Sequence, residues 1–286
     1  MSSPGDPNDE TPRPGRLTPT RRGRFLAAAG VAVVVIAAIV VAMLVLTPRD
    51  ADPVTAPTES PEPSRMPTPS STPTPTPTPE PEPEFDKTAL SIDDPSSLWV
   101  VVNKQRPFTP LDYQAPDLVN VPVPFVNAPQ LRQEASDAVV AMFAAYTAET
   151  GLQMQSQSAY RSYSTQVSVY NGWVERLGQE AADLTSARPG HSEHQTGLVI
   201  DISSVPAVCA LDQCFADTPQ GQWLAANAYK WGFILRYPDG LTNVTGYEFE
   251  PWHYRYVGVE LATEMHDTGA TTMEEFFGLP AAPTYG

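Results

Sequence analysis

Two short stretches of the chain carry side chains that could share one metal ion. Residues 192–201 read Ser-Glu-His-Gln-Thr-Gly-Leu-Val-Ile-Asp, and residues 250–253 read Glu-Pro-Trp-His. Together they supply two imidazoles and one carboxylate as ligands, and a second carboxylate that could act as general base. Three protein ligands with an open position for water are the pattern of hydrolytic zinc sites. The two stretches therefore predict a shared Zn²⁺ site.

The predicted ligands are His194, Asp201 and His253. Asp201 stands in an apolar run, where a buried carboxylate is costly unless it binds a cation or several donors. A hydrogen-bonded structural Asp is the alternative, and the two histidines favour the metal. Glu250 and His253 are three residues apart, which would place them on opposite faces of a regular strand. The proline between them interrupts that regularity, so we expect a bend that brings Glu250 to the site as the general base.

Arg161 and His191 are further candidates. Arg161 follows a predicted strand, and an arginine there can stabilise a developing oxyanion through its forked donors. His191 precedes His194 by three residues, and we predict that it contacts the substrate or supports a ligand. A third imidazole ligand and an exposed loop histidine are the alternatives for His191. A triad of Ser192, His194 and Asp201 can be drawn, but no G-x-S-x-G elbow surrounds that serine. A non-haem iron oxygenase is another alternative, which the H-x6-D spacing disfavours.

The N-terminal part of the chain has the composition of an anchor followed by a tether. Residues 1–24 carry five arginines, and residues 25–46 are apolar without a single charge. Such a helix is about 33 Å long, enough to cross a membrane, and the arginines place the N-terminus in the cytoplasm. A cleaved signal peptide is the alternative, which the length of the apolar run disfavours. Residues 47–84 are rich in Pro, Thr and Glu and predict a disordered, extended linker.

The charge balance argues against one class of partner. The chain has 17 basic and 33 acidic residues, and without the five basic and three acidic residues of its first 24 positions the net charge is −18. This acidity argues against nucleic acid as a partner. Both cysteines, Cys209 and Cys214, fall in the part expected outside the cytoplasm. There we expect a local disulfide in preference to half of a metal site.

The folded part is predicted to mix helices and strands. Residues 85–128 contain scattered prolines and predict an irregular segment that wraps the domain formed by residues 129–286. Apolar spacing and terminal glycines predict the helices, whereas alternation and β-branched runs predict the strands. The predicted helices cover 129–150, 165–177, 218–231, 258–265 and 272–277, and the strands cover 152–160, 198–202, 233–235 and part of 245–256. No βαβ rhythm is apparent, so we expect an α+β fold with a small antiparallel sheet and flanking helices.

These motifs resemble those of the zinc D-Ala-D-Ala peptidases. The first stretch is similar to the family signature S-x-H-x-x-G-x-A-x-D, with Val199 in place of the usual alanine, and the second is similar to the E-x-W-H element. The segments 160–162, 188–190 and 254–258 resemble the VanY-type D-alanyl-D-alanine carboxypeptidase branch. The resemblance covers roughly residues 130–258.

The resemblance implies a fold shared with lysostaphin-type and hedgehog zinc domains. It implies the three zinc ligands and the base named above, Arg161 facing the substrate carbonyl, and Ser192 with Gln166 holding the terminal D-Ala carboxylate. The implied function is removal of the terminal D-Ala from peptidoglycan stem peptides. We expect a monomer, anchored in the cell membrane with its catalytic domain facing the wall. The alternatives are a peptidoglycan endopeptidase, a D-Ala-D-Ala dipeptidase and a non-catalytic zinc domain that binds the wall.

Overall fold

A four-stranded antiparallel sheet lies at the centre of the computed structural model, which describes residues 84–286. The strands follow the order β3–β4–β6–β5, and a separate two-stranded sheet pairs β1 with β2. The bounds are β1 Leu118–Asn120, β2 Gln130–Arg132, β3 Met154–Ser158, β4 Val199–Ser204, β5 Phe233–Leu235 and β6 His253–Tyr256. The predicted cytoplasmic tail and membrane helix, and the linker up to residue 83, lie outside the described residues. Within residues 84–286, no helix combines the length and the apolar character that a bilayer span requires.

Seven helices accompany the sheets in the described part of the chain. They are α1 Gln133–Thr150, α2 Tyr163–Leu177, α3 Gln179–Thr185, α4 Pro219–Asn227, α5 Thr242–Thr245, α6 Val259–Thr268 and α7 Met273–Phe276. Short 3-10 turns cover Glu193–Thr196, Gln213–Asp217 and Ala228–Trp231. The prediction of an α+β fold with a small antiparallel sheet and flanking helices is confirmed.

Helix α1 begins later than its sequence pattern predicted. We expected Pro129 in its first turn, but residues 130–132 pair with β1 and the helix starts only at Gln133. The strand forms in place of the first helical turn, because it buries Leu131 completely in the core. The predicted end is right, since Gly151 adopts a left-handed conformation (φ 72°) and its N–H donates to the carbonyl of Thr147.

Two other helical regions differ from what the sequence predicted. Helix α3 was not predicted, because among its residues only Ala182 is buried and no apolar stripe marks it. The helix predicted over 218–231 is α4 followed by a 3-10 turn, which Gly232 ends at a positive φ.

The predicted strand 152–160 is shorter in the structure, and the one predicted over 233–235 has the expected bounds.

Residues 85–128 consist of turns, bends and strand β1. Trp99 and Val101 of this segment pack with Leu261 of α6 and Phe276 of α7 in one hydrophobic cluster. The indole N–H of Trp99 also donates to the carbonyl of Val257, which follows β6. The segment thereby contributes to the core although it contains little regular structure.

Cys209 and Cys214 form a disulfide, as their spacing and location predicted. The bridge closes a short loop between β4 and α4. Leu211 and Asp212, inside that loop, line the larger cavity described below.

Candidate active site

The register of the central sheet brings two of the predicted ligands together. Asp201 of β4 and His253 of β6 are cross-strand partners, and Asp201 Oδ1 lies 3.4 Å from His253 Nδ1. His194 comes from the 3-10 turn before β4, and its Nε2 lies 3.4 Å from Asp201 Oδ2. One potential ligand atom of each residue lies within 4.8 Å of the other two, and all three side chains are buried. Two nitrogens and one oxygen therefore converge on one point.

Local hydrogen bonds hold His194 in place. Its turn ends at Gly197, which adopts φ 69°, a conformation that favours glycine, and β4 begins two residues later at Val199. The carbonyl of His194 accepts from the N–H of Arg161 at 3.2 Å, and its Nδ1 lies 2.7 Å from the carbonyl oxygen of Ala159. A carbonyl can only accept, so Nδ1 carries the proton and the Nε2 lone pair points towards Asp201.

The buried carboxylate of Asp201 fits a cation. Its Oδ1 has no hydrogen-bond partner among the described residues. Burial raises the pKa of Asp201 to about 7, although His253 and Arg161 favour the ionised form. A buried acceptor without a donor is costly, and a divalent ion would satisfy it. Two imidazole nitrogens and one carboxylate oxygen are a donor set that Zn²⁺ accepts, so the residues present fit the ion.

Glu250 approaches the cluster from a turn. The N–H of His253 donates to the carbonyl of Glu250 at 3.1 Å, and Glu250 Oε2 lies 3.2 Å from His253 Nδ1. The expected bend thus brings both side chains to one place. Burial alone would lower the pKa of His253, but the carboxylates of Glu193 and Glu250 raise it to about 9.

Gln166 lies elsewhere than the resemblance implied. Its side chain is fully buried. It lines neither of the two cavities that adjoin the ligand cluster. Its Oε1 accepts from Arg161 Nε, while its Nε2 donates to the carbonyl of Ala187 at 2.6 Å and to Ser186 Oγ at 3.2 Å. Gln166 therefore orients Arg161, and its amide has no free face for a substrate.

Of the other two predicted substrate contacts, the structure brings Ser192 to the site but not His191. Ser192 is buried and lines the smaller cavity of the site. His191 lines neither cavity, because its Nδ1 lies 2.9 Å from the carbonyl oxygen of Asn103 and its ring meets the ring of Tyr285 edge-on. The structure therefore does not bring His191 to the predicted site.

Two adjoining cavities open onto the cluster. The larger, of about 520 Å³, has a mixed lining that includes Trp173, Phe249 and Trp252. The smaller, of about 40 Å³, includes Tyr237 and Tyr247. The residues that line both are Arg161, Thr185, Ser186, His194 and Glu250. In the described part of the chain, Arg161 is the only arginine or lysine on either lining, so it is the cation available to a reacting carbonyl.

Glu193, Arg236 and Arg255 were not among the residues for which the motifs predicted a role. Glu193 lies between the two arginines, and Arg255 lies on the same face of β6 as His253. The spacing of two residues between His253 and Arg255 was a usable signal for that shared face. Arg236 lies 43 residues from Glu193 and belongs to no motif of the sequence that would pair the two.

Comparison with known proteins identifies the family. The family model VanY, described as D-alanyl-D-alanine carboxypeptidase, matches residues 128–259. The Bacillus subtilis (strain 168) protein YodJ is 41% identical over 192 residues, which cover 65% of this chain and 69% of YodJ. The chain belongs to the VanY family. This VanY-family chain is therefore a peptidase, as its motifs predicted.

Two solved structures resemble this VanY-family chain. The LdcB LD-carboxypeptidase has a TM-score of 0.60 and 41% identity, covering 64% of this chain and 87% of LdcB. A mutant of the vancomycin-resistance D,D-pentapeptidase VanY from a VanB-type cassette, in complex with Zn(II), has a TM-score of 0.52 and 32% identity. That match covers 63% of this chain and 98% of the pentapeptidase.

Proposed function

We propose that this protein is a zinc-dependent D,D-carboxypeptidase that removes the terminal D-Ala from peptidoglycan stem peptides. The convergence of His194, Asp201 and His253 on one point, with Glu250 3.2 Å from His253 Nδ1, carries the proposal. Membership of the VanY family supports the carboxypeptidase reaction, and the related pentapeptidase in complex with Zn(II) supports the choice of metal.

In the proposed mechanism the residues of the site have separate roles. His194, Asp201 and His253 would hold the ion, which when bound supplies a Lewis acid for the scissile carbonyl and lowers the pKa of water to about 7. Glu250 accepts a proton from the attacking water and delivers it to the departing amine of D-Ala. Arg161, oriented by Gln166, stabilises the negative charge that develops on the carbonyl oxygen.

The two cavities suit different parts of the substrate. The smaller accommodates the terminal D-Ala, whose methyl side chain needs little room, and the Ser192 hydroxyl can donate to its carboxylate. The larger, lined in part by Trp173 and Trp252, accommodates the preceding residues of the stem peptide. The scissile bond then lies at Arg161, His194 and Glu250, which line both cavities.

An L,D-carboxypeptidase is the second candidate. The likeness to the LdcB LD-carboxypeptidase, with 41% identity over 87% of its chain, favours this activity. The two activities remove the same residue from different substrates. A D,D-enzyme shortens a pentapeptide ending in D-Ala-D-Ala, whereas an L,D-enzyme shortens a tetrapeptide.

Mass analysis of stem peptides tests the proposal. The purified full chain would be incubated with pentapeptide and tetrapeptide muropeptides, with and without a zinc chelator. We expect loss of one alanine from the pentapeptide, abolished by the chelator. Loss from the tetrapeptide alone would replace the D,D activity by the L,D activity. Hydrolysis of free D-Ala-D-Ala, supplied as a separate substrate, would indicate a dipeptidase, and cleavage of cross-linked muropeptides would indicate an endopeptidase. No turnover of any substrate would favour a non-catalytic wall-binding domain.

The proposal also places the enzyme at the outer face of the cell membrane. The apolar run 25–46 after five arginines, and the Pro-rich stretch up to residue 84, support a single-pass anchor and a tether that reaches into the wall. We expect the full chain to remain in membranes after alkaline extraction and to be digested by protease added to intact cells after wall removal. Release by alkali, or protection from the protease, would contradict this location.

A further inference from the structure

The side of His253 that faces away from the ligand cluster meets a carboxylate. Glu193 Oε2 lies 3.7 Å from His253 Nε2. Both atoms are buried, and neither has a hydrogen-bond partner among the described residues. The two unpaired atoms therefore face each other, while His253 Nδ1 faces Asp201 and Glu250.

The second oxygen of Glu193 is held by two guanidinium groups. Oε1 accepts from Arg236 Nε at 2.9 Å and from Arg255 Nη1 at 3.0 Å. Arg236 is itself held by both oxygens of Glu274, at 2.7 and 2.9 Å. All four charged side chains are buried, with at most 1% of each residue exposed. Glu193 is therefore ionised and cannot rotate without breaking two charged hydrogen bonds, so its other oxygen stays directed at His253.

We propose that Glu193 is a positioning residue for the metal site, which keeps the proton of His253 on Nε2 and leaves the Nδ1 lone pair free for the ion. An ionised carboxylate only accepts hydrogen bonds, so the nitrogen that faces it carries the proton. The carbonyl of Ala159 fixes the proton of His194 on Nδ1 by a hydrogen bond of 2.7 Å, whereas the charge of Glu193 acts on His253 Nε2 across 3.7 Å. The two histidines thus present opposite nitrogens to one point. The inference rests on the proposed function, because it concerns the metal of that site.

Glu193→Gln provides a shape-conserving test. The two arginines require an acceptor at the inner position, so the amide nitrogen must face His253 Nε2 as a donor. His253 then accepts on Nε2 and carries its proton on Nδ1, where the metal should bind. We expect the zinc dissociation constant, measured by competition with a chelator, to rise by about 10- to 100-fold.

Glu274→Gln is the matched control. Glu274 belongs to the same buried ion pairs and contacts Arg236 and Asn103, but it makes no contact with His253. Both variants remove one charge from the pairs, so we expect the melting temperature of both metal-free proteins to fall. Zinc affinity should fall only in Glu193→Gln. An unchanged affinity in that variant, or an equal loss in both, would overturn the proposal.

A measurement on the unmodified protein keeps the proposal testable if Glu193→Gln does not fold. ¹⁵N NMR of the zinc-loaded protein should show His253 protonated on Nε2 and His194 protonated on Nδ1. A proton on Nδ1 of His253 would overturn the proposal. A wild-type protein that binds zinc but never releases D-Ala would contradict the proposed function alone, whereas full hydrolysis with unchanged zinc affinity in Glu193→Gln would contradict only the positioning role.

Discussion

Two groups of buried charges meet at His253, and they differ in how their charges are compensated. The closed cluster consists of Glu193, Arg236, Arg255 and Glu274, joined by hydrogen bonds of 2.7 to 3.0 Å. The open cluster consists of His194, Asp201, Glu250 and His253, whose charged atoms approach one another only to 3.2 to 3.4 Å. Asp201 Oδ1 has no hydrogen-bond partner in the described part of the chain.

The difference in compensation indicates that the closed cluster stabilises the fold, whereas the open cluster is suited to binding a cation. Burying a charge is costly unless opposite charges and hydrogen bonds compensate it. The closed cluster supplies that compensation from within the protein and joins α7, β6 and the turn before β4. The open cluster adjoins two cavities and has room for a cation that would compensate it.

Removing the metal should have the largest effect. We expect dialysis against a zinc chelator to abolish D-Ala release and to lower the melting temperature, because a ligand that binds only the folded protein stabilises it. Added zinc should restore both. The control is Glu250→Ala, which retains the three ligands and should show the same zinc-dependent melting shift without activity. If adding zinc did not change the melting temperature, the open cluster would not be a metal site.

Glu250→Ala should have the next largest effect. Loss of the general base should lower kcat for D-Ala release by about 10²- to 10⁴-fold while zinc remains bound. Steady-state kinetics and metal analysis of the same sample measure the two quantities. Undiminished release by this variant would remove the proposed mechanism.

Arg236→Met should affect the closed cluster most. It leaves the carboxylates of Glu193 and Glu274 with fewer partners, and breaking a buried ion pair lowers the free energy of unfolding by about 3–5 kcal/mol. Urea denaturation of the metal-free protein measures the change. The control is Asp267→Ala, which breaks an exposed pair with His266 and should cost less than about 1 kcal/mol. A similar decrease in the free energy of unfolding in both variants would show that the closed cluster does not stabilise the fold.

Zinc affinity should rise with pH. In the metal-free protein the pKa of Asp201 is about 7 and that of His253 about 9, so zinc must displace one proton between these values and two below them. The dissociation constant should therefore fall by roughly tenfold per pH unit from about 7 to about 9, and more steeply below 7. Chelator competition across this range measures the slope. A flat profile would indicate that these groups are not the ligands.

Tyr285→Phe should have the smallest effect. The Tyr285 hydroxyl accepts from the N–H of Arg188, and the carbonyl of the same peptide group accepts from Gln166, which orients Arg161. Losing one neutral hydrogen bond should lower kcat by about two- to tenfold. Tyr229→Phe, whose ring stacks on His266, is the control and should not change kcat. Equal kcat values in both variants would show that this peptide group needs no support from Tyr285.

Much of the fold followed from local patterns. Alternation and β-branched runs predicted strands near residues 152–160 and 198–202, and Gly151 ended α1 as expected. The errors arose where a distant partner outweighed a local preference. Residues 130–132 follow Pro129, which is typical of a first helical turn, but they pair with β1, and α3 lacks the apolar stripe by which helices are recognised.

The sequence by itself determined which residue types are available for chemistry and the order in which they follow the chain. It contained His194, Asp201, Glu250 and His253 at spacings that already predicted a shared ion. Only the tertiary structure decided that Gln166 orients Arg161 and that His191 lies away from the cavities.

The tertiary structure also decided which nitrogen each histidine turns towards the predicted metal site. That choice depends on an acceptor behind each ring, the carbonyl of Ala159 for His194 and the carboxylate of Glu193 for His253. Ala159 is 35 residues from His194, and Glu193 is brought to His253 by the pairing of β4 with β6. These contacts span 2.7 and 3.7 Å in space whatever the separation along the chain, so the sequence could specify them only through the fold.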